Sequence, residues 1–209
     1  MKIYLLDNNF NMIREWEKYF KGVPNVEIVY DNFENFMLKY KVDCVVSPAN
    51  SFGLMDGGYD LAISKWFGWG LMENVQKYIK DHYYGEQPVA TSFIIDTPKT
   101  GVKLIHTPTM RDPDEIKELL IVYQCMRTTL IEAIKSDVQA MVIPAFGGGA
   151  GWVKHETIAR LMYQGYKQVI EYEGQDINWN NHISNETLYL QTNSLDDFET
   201  DIEEISPYY

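Results

Sequence analysis

Short apolar runs and stretches of helical periodicity alternate along this chain. Ile3 to Leu6 is an apolar run of strand length, and between Asn8 and Phe20 the residues Ile13, Trp16 and Phe20 recur at the three- and four-residue spacing of one helix face. Asp7 or Asn8 offers a side chain able to cap that helix. After the turn Gly22-Val23-Pro24-Asn25, Val26 to Tyr30 predicts a second strand, so the opening reads as strand, helix, strand and predicts a parallel pair with a right-handed crossover. Phe33 to Lys41 predicts a short helix. Asp43-Cys44-Val45-Val46-Ser47 is then a β-branched apolar run of the kind buried on both faces of a sheet covered by helices. Lys65 to Tyr84 is helical in pattern, interrupted at Gly68-Trp69-Gly70, with Leu71, Val75, Tyr78 and Ile79 at core spacing. Val89 to Ile95 and Val102 to Pro108 predict two strands joined by the turn Thr97 to Gly101, a hairpin that makes the sheet mixed. Asp112-Pro113-Asp114-Glu115 combines a cap residue, a first-turn proline and acids, and predicts a helix running to about Lys135. Ala140 to Pro144 is the last core strand, and Val153 to Tyr172 a closing helix. The alternation is that of an α/β protein.

Composition narrows the partners. At 209 residues the chain is long enough for one sizeable core, and a formal net charge of −12 disfavours non-specific binding to nucleic acid or to anionic membrane. Lys and Arg are scattered. Asp196, Asp197, Glu199, Asp201, Glu203 and Glu204 concentrate negative charge near the end and read as a solvated tail. Cys44 and Cys125 lack the paired spacing of a zinc or redox site, which points to a reducing, cytoplasmic compartment with no metal or other cofactor required. The run at Ile3 to Leu6 is too short for a signal peptide, and no segment reaches membrane-spanning length.

Candidate chemistry gathers where core strands end. Pro48 stops the strand at Ser47, and Asn50 then offers an amide with two donors and one acceptor at the edge where open α/β sheets bind ligands. Gly53, Gly57 and Gly58 follow, and Asp60-Leu61-Ala62-Ile63 reads as the first turn of a helix pointing back at that loop. After Ala140 to Pro144 comes a second glycine loop, Phe146-Gly147-Gly148-Gly149-Ala150-Gly151-Trp152, again feeding a helix. Two such loops suit a diphosphate held by backbone N–H groups, the means open to an acidic protein with few local cations. No Gly-Lys-Ser/Thr ending is present and the spacing differs from the dinucleotide fingerprint, so ATPase and ordinary dehydrogenase readings fall. Asp31, at a strand end, either accepts a hydrogen bond from the exocyclic amine of a base or caps the next helix. His106 reads as a hydrogen-bonded core residue.

The two loops, Ser47-Pro48-Ala49-Asn50-Ser51 to Ile63 and Ile143 to Gly151, with the strand ending Ile105-His106-Thr107-Pro108 between them, together resemble the macro domain. The resemblance spans about residues 26–170 and implies a three-layer α/β/α sandwich, with a mixed, mostly parallel sheet, that holds ADP-ribose or a derivative in a cleft at the strand ends. It assigns Asp31, with Asn32, to the adenine, Asn50, flanked by Ala49 and Ser51, to the distal ribose, and Gly57 and Gly58 to that ribose and its phosphate. It assigns Gly147, Gly148, Gly149, Ala150 and Gly151 to the diphosphate, with Trp152 or Phe146 in place of the aromatic that often covers the ribose. Asp60 matches an acid that positions or activates water in the hydrolytic branch of the family. Residues 1–175 are expected to form the domain, and 176–209 an extension in which Ile183 to Leu190 is a candidate edge strand. Three functions follow as alternatives: hydrolysis of an ADP-ribosyl linkage or of ADP-ribose-1''-phosphate, a reader that binds ADP-ribose without chemistry, or an α/β scaffold whose fifteen tyrosines and five tryptophans build an interface.

Overall fold

A computed structural model describes residues 1–171 apart from Thr100, together with Trp179. The chain divides into one unit of Met1–Val169 and a second of Ile170–Tyr209. The candidate edge strand at Ile183 to Leu190 and the acidic tail lie outside the described residues. In chain order the elements are β1 (Lys2–Asp7), α1 (Phe10–Phe20), β2 (Val26–Tyr30), α2 (Phe33–Lys39), β3 (Cys44–Ser47), α3 (Gly58–Phe67), α4 (Gly70–Tyr83), β4 (Phe93–Asp96), β5 (Lys103–His106), α5 (Leu120–Lys135), β6 (Ala140–Pro144) and α6 (His155–Ile170).

The six strands lie in the order β2-β1-β6-β3-β5-β4. All pairs are parallel except β4, which runs antiparallel to β5, so the sheet is mixed and mostly parallel as the alternation predicts. Side chains alternate across it. Leu6, Val45, Leu104 and Val142 pack with Phe36 of α2, Ile63 of α3 and Val75 of α4 in one core cluster. Their neighbours Leu5, Val46, Ile105 and Ile143 point the other way and are fully buried, on the side of α1, α5 and α6. There Phe20 of α1 meets Tyr166 of α6 edge-on, with ring centres 5.7 Å apart. β3 is buried at all four positions, the residues whose apolar run predicts it.

Several boundaries differ from the sequence reading, each for a nameable reason. The cap of α1 is Asn9, whose side chain accepts the N–H of Asn11, while Asp7 Oδ1 accepts the N–H of Asn9 and shapes the turn before it. β4 starts only at Phe93, because Ala90 turns the chain with a left-handed φ of 60° and donates its N–H to Pro108 O. α5 begins at Leu120 rather than at Asp112. The local signals at Asp112-Pro113 are overruled by Ile116, which is buried and donates its N–H to Gly151 O at 3.0 Å, holding this stretch against the second glycine loop.

One glycine is fixed by packing between helices. A Cβ on Gly165 of α6 would stand 2.7 Å from Tyr123 O and 2.9 Å from Met126 Cβ, both on α5. Gly165→Ala should therefore destabilise the fold by about 2 kcal/mol, since overpacking strain of about 3 kcal/mol outweighs about 1 kcal/mol of helix propensity. Urea unfolding measures this, and an unchanged midpoint would show that α5 and α6 separate freely.

Candidate functional site

The C-terminal ends of β2, β1, β6 and β3 lie side by side, and a cleft of about 650 Å³ opens along them. Gly57, Gly58, Gly147, Gly148, Gly149 and Ala150 all line it, so the two glycine loops meet at one site. α3 starts at the cleft with Gly57 as a cap that has no side chain to bond, which leaves first-turn N–H groups for a ligand. In the second loop the amides of Gly149 and Ala150 find no protein acceptor among the described residues, whereas those of Gly148, Trp152 and Val153 close the loop on Ala145, Gly149 and Gly147 carbonyls.

Asn50 is buried and shapes the first loop from within. Its Oδ1 accepts the N–H groups of Phe52 at 3.1 Å and Leu54 at 3.3 Å, and its Nδ2 donates to Leu54 O at 3.2 Å. That uses one Nδ2 hydrogen of the two, and Asn50 and Ala49 both line the cleft. Ser51 lies behind the cleft. It is 1% exposed and its N–H and Oγ both bond the 110–111 backbone, so it works as a strut. Gly53 serves packing rather than anion contact, because with φ +66° it brings the loop so close to α4 that a Cβ would stand 2.7 Å from Val75 Cγ1.

Asp60 sits at the cleft floor, 9% exposed, where its Oδ1 accepts the hydroxyl of Ser47 from the end of β3 at 2.5 Å. It does not cap α3. Burial raises its pKa from 3.8 to about 7, with the Ser47 bond opposing that shift, so at neutral pH the carboxyl is divided between its acid and base forms. Tyr59 beside it has a buried hydroxyl with no partner among the described residues, and burial together with Asp60, Asp7 and Glu34 pushes its ionisation well above the ordinary range.

Asp31 and Asn32 line the other end. Asn32 caps α2 by accepting Asn35 N–H at 2.8 Å, the role open to Asp31 on sequence. Asp31 Oδ1 accepts from the Asn32 backbone and the Asn35 amide, and its Oδ2 pairs with Lys39 at 2.5 Å. The Lys39 bond, and then that of Asn35, hold its pKa below the ordinary carboxylate value.

Three expected contacts are placed elsewhere. Phe146 is fully buried in the core, Gly151 is buried beneath its loop, and Trp152, 81% exposed at φ 53°, stands outside the cleft lining. A Cβ on Gly151 would meet Ile116 Cδ1 at 2.7 Å and Gly147 O at 2.9 Å, so that glycine exists to let its own loop close. His106 is a buried core residue, as read: its Nδ1 pairs with Gln87 Oε1 at 2.6 Å, burial lowers its pKa to about 3, and Gln87 N–H in turn bonds Ser51 O behind the first loop.

Comparison with known proteins decides the family. The sequence model of the macro domain matches residues 46–162, more than half of the chain. The chain belongs to the macro domain family. This family binds ADP-ribose. A protein of Aquifex aeolicus (strain VF5), named only as uncharacterized, is 32% identical over 123 residues, which cover 58% of this chain and 71% of the relative. An equally unnamed protein of Aeropyrum pernix is 26% identical over 125 residues, 59% of this chain and 63% of the relative. Among solved structures, the macrodomain of Mycobacterium tuberculosis DarG is similar with a TM-score of 0.54 at 18% identity, covering 63% of this chain and 85% of the other. The Oceanobacillus iheyensis macrodomain with ADP gives 0.55 at 21% identity, with 63% and 70% covered. A mutant of that macrodomain with ADPR gives 0.57 at 19%, with 68% and 76% covered. At such identities the likeness is one of fold.

The sequence reading of this macro domain overlooked part of the cleft wall. Asp7, Asn8 and Asn9 line it from the end of β1, and His155 from the start of α6, with Asn9 Nδ2 and His155 Nε2 3.3 Å apart. Burial raises the pKa of Asp7, against the Asn9 N–H bond and the nearby His155. The signal was present, since a parallel strand beside β6 must end at the same edge. Thr109 and Met110, in the link after the strand predicted to end at Pro108, and Pro113, read as the first turn of a helix, also reach the cleft. Met110 pairs with Asn50 in an isolated bridge, and Ile116 bonds Gly151, so this one segment ties both glycine loops. Among the described residues no helix is long and apolar enough to cross a membrane, and no three His, Cys, Asp or Glu side chains group to hold a metal ion.

Proposed function

We propose that this macro domain binds ADP-ribose in the cleft and hydrolyses a derivative substituted at the anomeric carbon of the distal ribose, within a reducing cytoplasmic compartment. The observation that carries the hydrolysis is Asp60, a buried carboxyl titrating near neutrality on the floor of the site, held by Ser47 and next to the loop that Asn50 shapes. The ligand reading is supported by the family, by the ADP and ADPR in the Oceanobacillus iheyensis structures, and by two loops whose free amides suit a diphosphate. In this reading Asp31 accepts the adenine amine, the second-loop amides hold the diphosphate, and the second Nδ2 hydrogen of Asn50 fixes the distal ribose. Asp60 takes a proton from water as the water oxygen bonds the anomeric carbon, the bond to the leaving group breaks, and the proton goes on to that group. General-base help of this kind contributes about a hundred- to ten-thousand-fold in rate.

A reader without chemistry is the second reading. It draws on Asn50, most of whose amide is already used within its own loop. Turnover separates the two. Wild type, Asp60→Ala and Asn50→Ala are incubated with ADP-ribosylated protein, ADP-ribosylated nucleic acid and ADP-ribose-1''-phosphate, and ADP-ribose binding is followed by thermal shift. At a hundred times the dissociation constant, ADP-ribose should stabilise wild type by about 2.7 kcal/mol. Release of ADP-ribose by wild type and its loss in Asp60→Ala is the expected result. Binding with every substrate left intact would establish the reader, and no thermal shift would leave the scaffold.

A further inference from the structure

Asp7 is a carboxyl in the cleft wall that the fold leaves with acceptor capacity to spare. It ends β1, which lies outside the residues 46–162 that the family model matches and which stands in the sheet between β2 and β6. The registers set Asp7 level with Tyr30 of β2 and one residue beyond Leu6, which pairs with Pro144 of β6. Asp31 N–H donates to Asp7 O at 3.2 Å, so the two acids are neighbours along the edge. Their side chains are used differently. Asp31 takes the side chains of Asn35 and Lys39 as well as the Asn32 amide. The half-buried Asp7 carboxyl is held by the amides of its own turn, Oδ1 accepting the Asn9 N–H at 2.7 Å with Asn8 close by, and among the described residues no side chain donates to it or pairs with it. His155, the nearby base, is turned to Asn9 instead. Asn9 Oδ1 is taken by the Asn11 N–H, so Asn9 Nδ2 must donate to His155 Nε2, and the ring proton is assigned to Nδ1. A carboxylate offers about four acceptor sites, and one that is partly withdrawn from water favours a ligand that brings a donor.

We infer that Asp7 accepts a hydroxyl of the adenosine ribose, and so selects a ribonucleotide with that hydroxyl free over its deoxy counterpart. This rests on the ADP-ribose reading above, with the adenine at Asp31 and the diphosphate on the second loop. Neighbouring strands stand about 5 Å apart, so β2 and β6 are separated by about 10 Å with β1 midway. What joins the base to the diphosphate is the ribose, and it falls opposite the end of β1. An acid at a strand end reading a ribose hydroxyl is an arrangement that dinucleotide-binding sheets also use.

Calorimetry with ADP-ribose and with its forms lacking the 2'- or the 3'-hydroxyl of the adenosine ribose tests the inference. At least one deoxy form should bind wild type about tenfold or more weakly, the worth of a hydrogen bond to a charged group. Asp7→Ser keeps an oxygen for the Asn9 N–H, and with it the turn into α1, but removes the rest of the carboxylate. This variant should bind ADP-ribose about as weakly as wild type binds that deoxy form, with no further loss when the hydroxyl is removed. Equal binding of both deoxy forms and ADP-ribose to wild type, or a deoxy penalty that persists in Asp7→Ser, overturns the inference and leaves the ADP-ribose reading standing. Absence of any ADP-ribose binding overturns both.

Discussion

Asp60→Asn is expected to raise the melting temperature at pH 8 by several degrees while abolishing turnover. Burial lifts the Asp60 pKa from 3.8 to about 7, so the folded protein binds this proton more tightly than the unfolded chain. Stability is therefore complete below pH 4 and falls by about 1.4 kcal/mol per pH unit as pH rises to 7, a penalty on the order of 4 kcal/mol above that point. Asparagine keeps an oxygen for the Ser47 hydroxyl and carries no charge. A gain of about 2 kcal/mol at pH 8, or roughly 4–8 °C for a domain of this size, should shrink to nothing at pH 4. His106 provides an opposing slope. Burial lowers its pKa from 6.5 to about 3, so the unfolded chain takes up its proton first, and the stability it confers is complete above 6.5 and lost as pH falls towards 3. In wild type the two slopes oppose each other between about pH 4 and 6.5. Asp60→Asn removes one of them, so the variant should lose stability on acidification more steeply than wild type. Thermal scans at pH 4, 6 and 8 decide the matter, and a variant less stable than wild type at pH 8 would mean that Asp60 is held as a stabilising ion. A variant both more stable at pH 8 and without turnover would show the trade expected of a catalytic group.

The residues that could be read from sequence are those whose role is local. Val45 and Val46 announce a buried strand by composition, Ile13, Trp16 and Phe20 announce a helix face by spacing, and the glycine loops announce themselves by following strands. What escaped depends on partners distant along the chain. Asp60 meets Ser47 only because α3 folds back on β3, and its near-neutral titration exists only in that enclosure. Asp112 and Pro113 satisfy every local rule for starting a helix, yet Ile116 is drawn to Gly151, 35 positions later (151 − 116), and the helix waits until Leu120. The family resemblance offers Trp152 or Phe146 as the aromatic over the ribose, but Phe146 is fully buried, a role set by packing that no local pattern announces.

Gly151→Ala should cost at least about tenfold in ADP-ribose affinity, although Gly151 does not line the cleft. The added Cβ would stand 2.7 Å from Ile116 Cδ1, 2.9 Å from Gly147 O and 3.0 Å from Gly147 Cα. The tip of Ile116 can rotate aside, but Gly147 cannot, because its carbonyl accepts Val153 N–H at 3.2 Å and its φ of 84° fixes the turn. The loop must open, and Gly149 and Ala150, whose amides have no protein acceptor among the described residues, move with it. A hydrogen bond to a charged group is worth about 1.5–3 kcal/mol, so misaligning even one amide against a diphosphate lowers affinity by roughly ten- to a hundredfold. Gly70→Ala is the control, since a Cβ there meets nothing within 4 Å and the residue opens α4 outside the cleft lining. Calorimetric titration of both variants should show ADP-ribose binding kept in Gly70→Ala and weakened in Gly151→Ala at little change in enthalpy of unfolding. Wild-type affinity in Gly151→Ala would show that the diphosphate is held somewhere other than the second loop, because no placement of that loop around an anion survives the displacement of its closing residue.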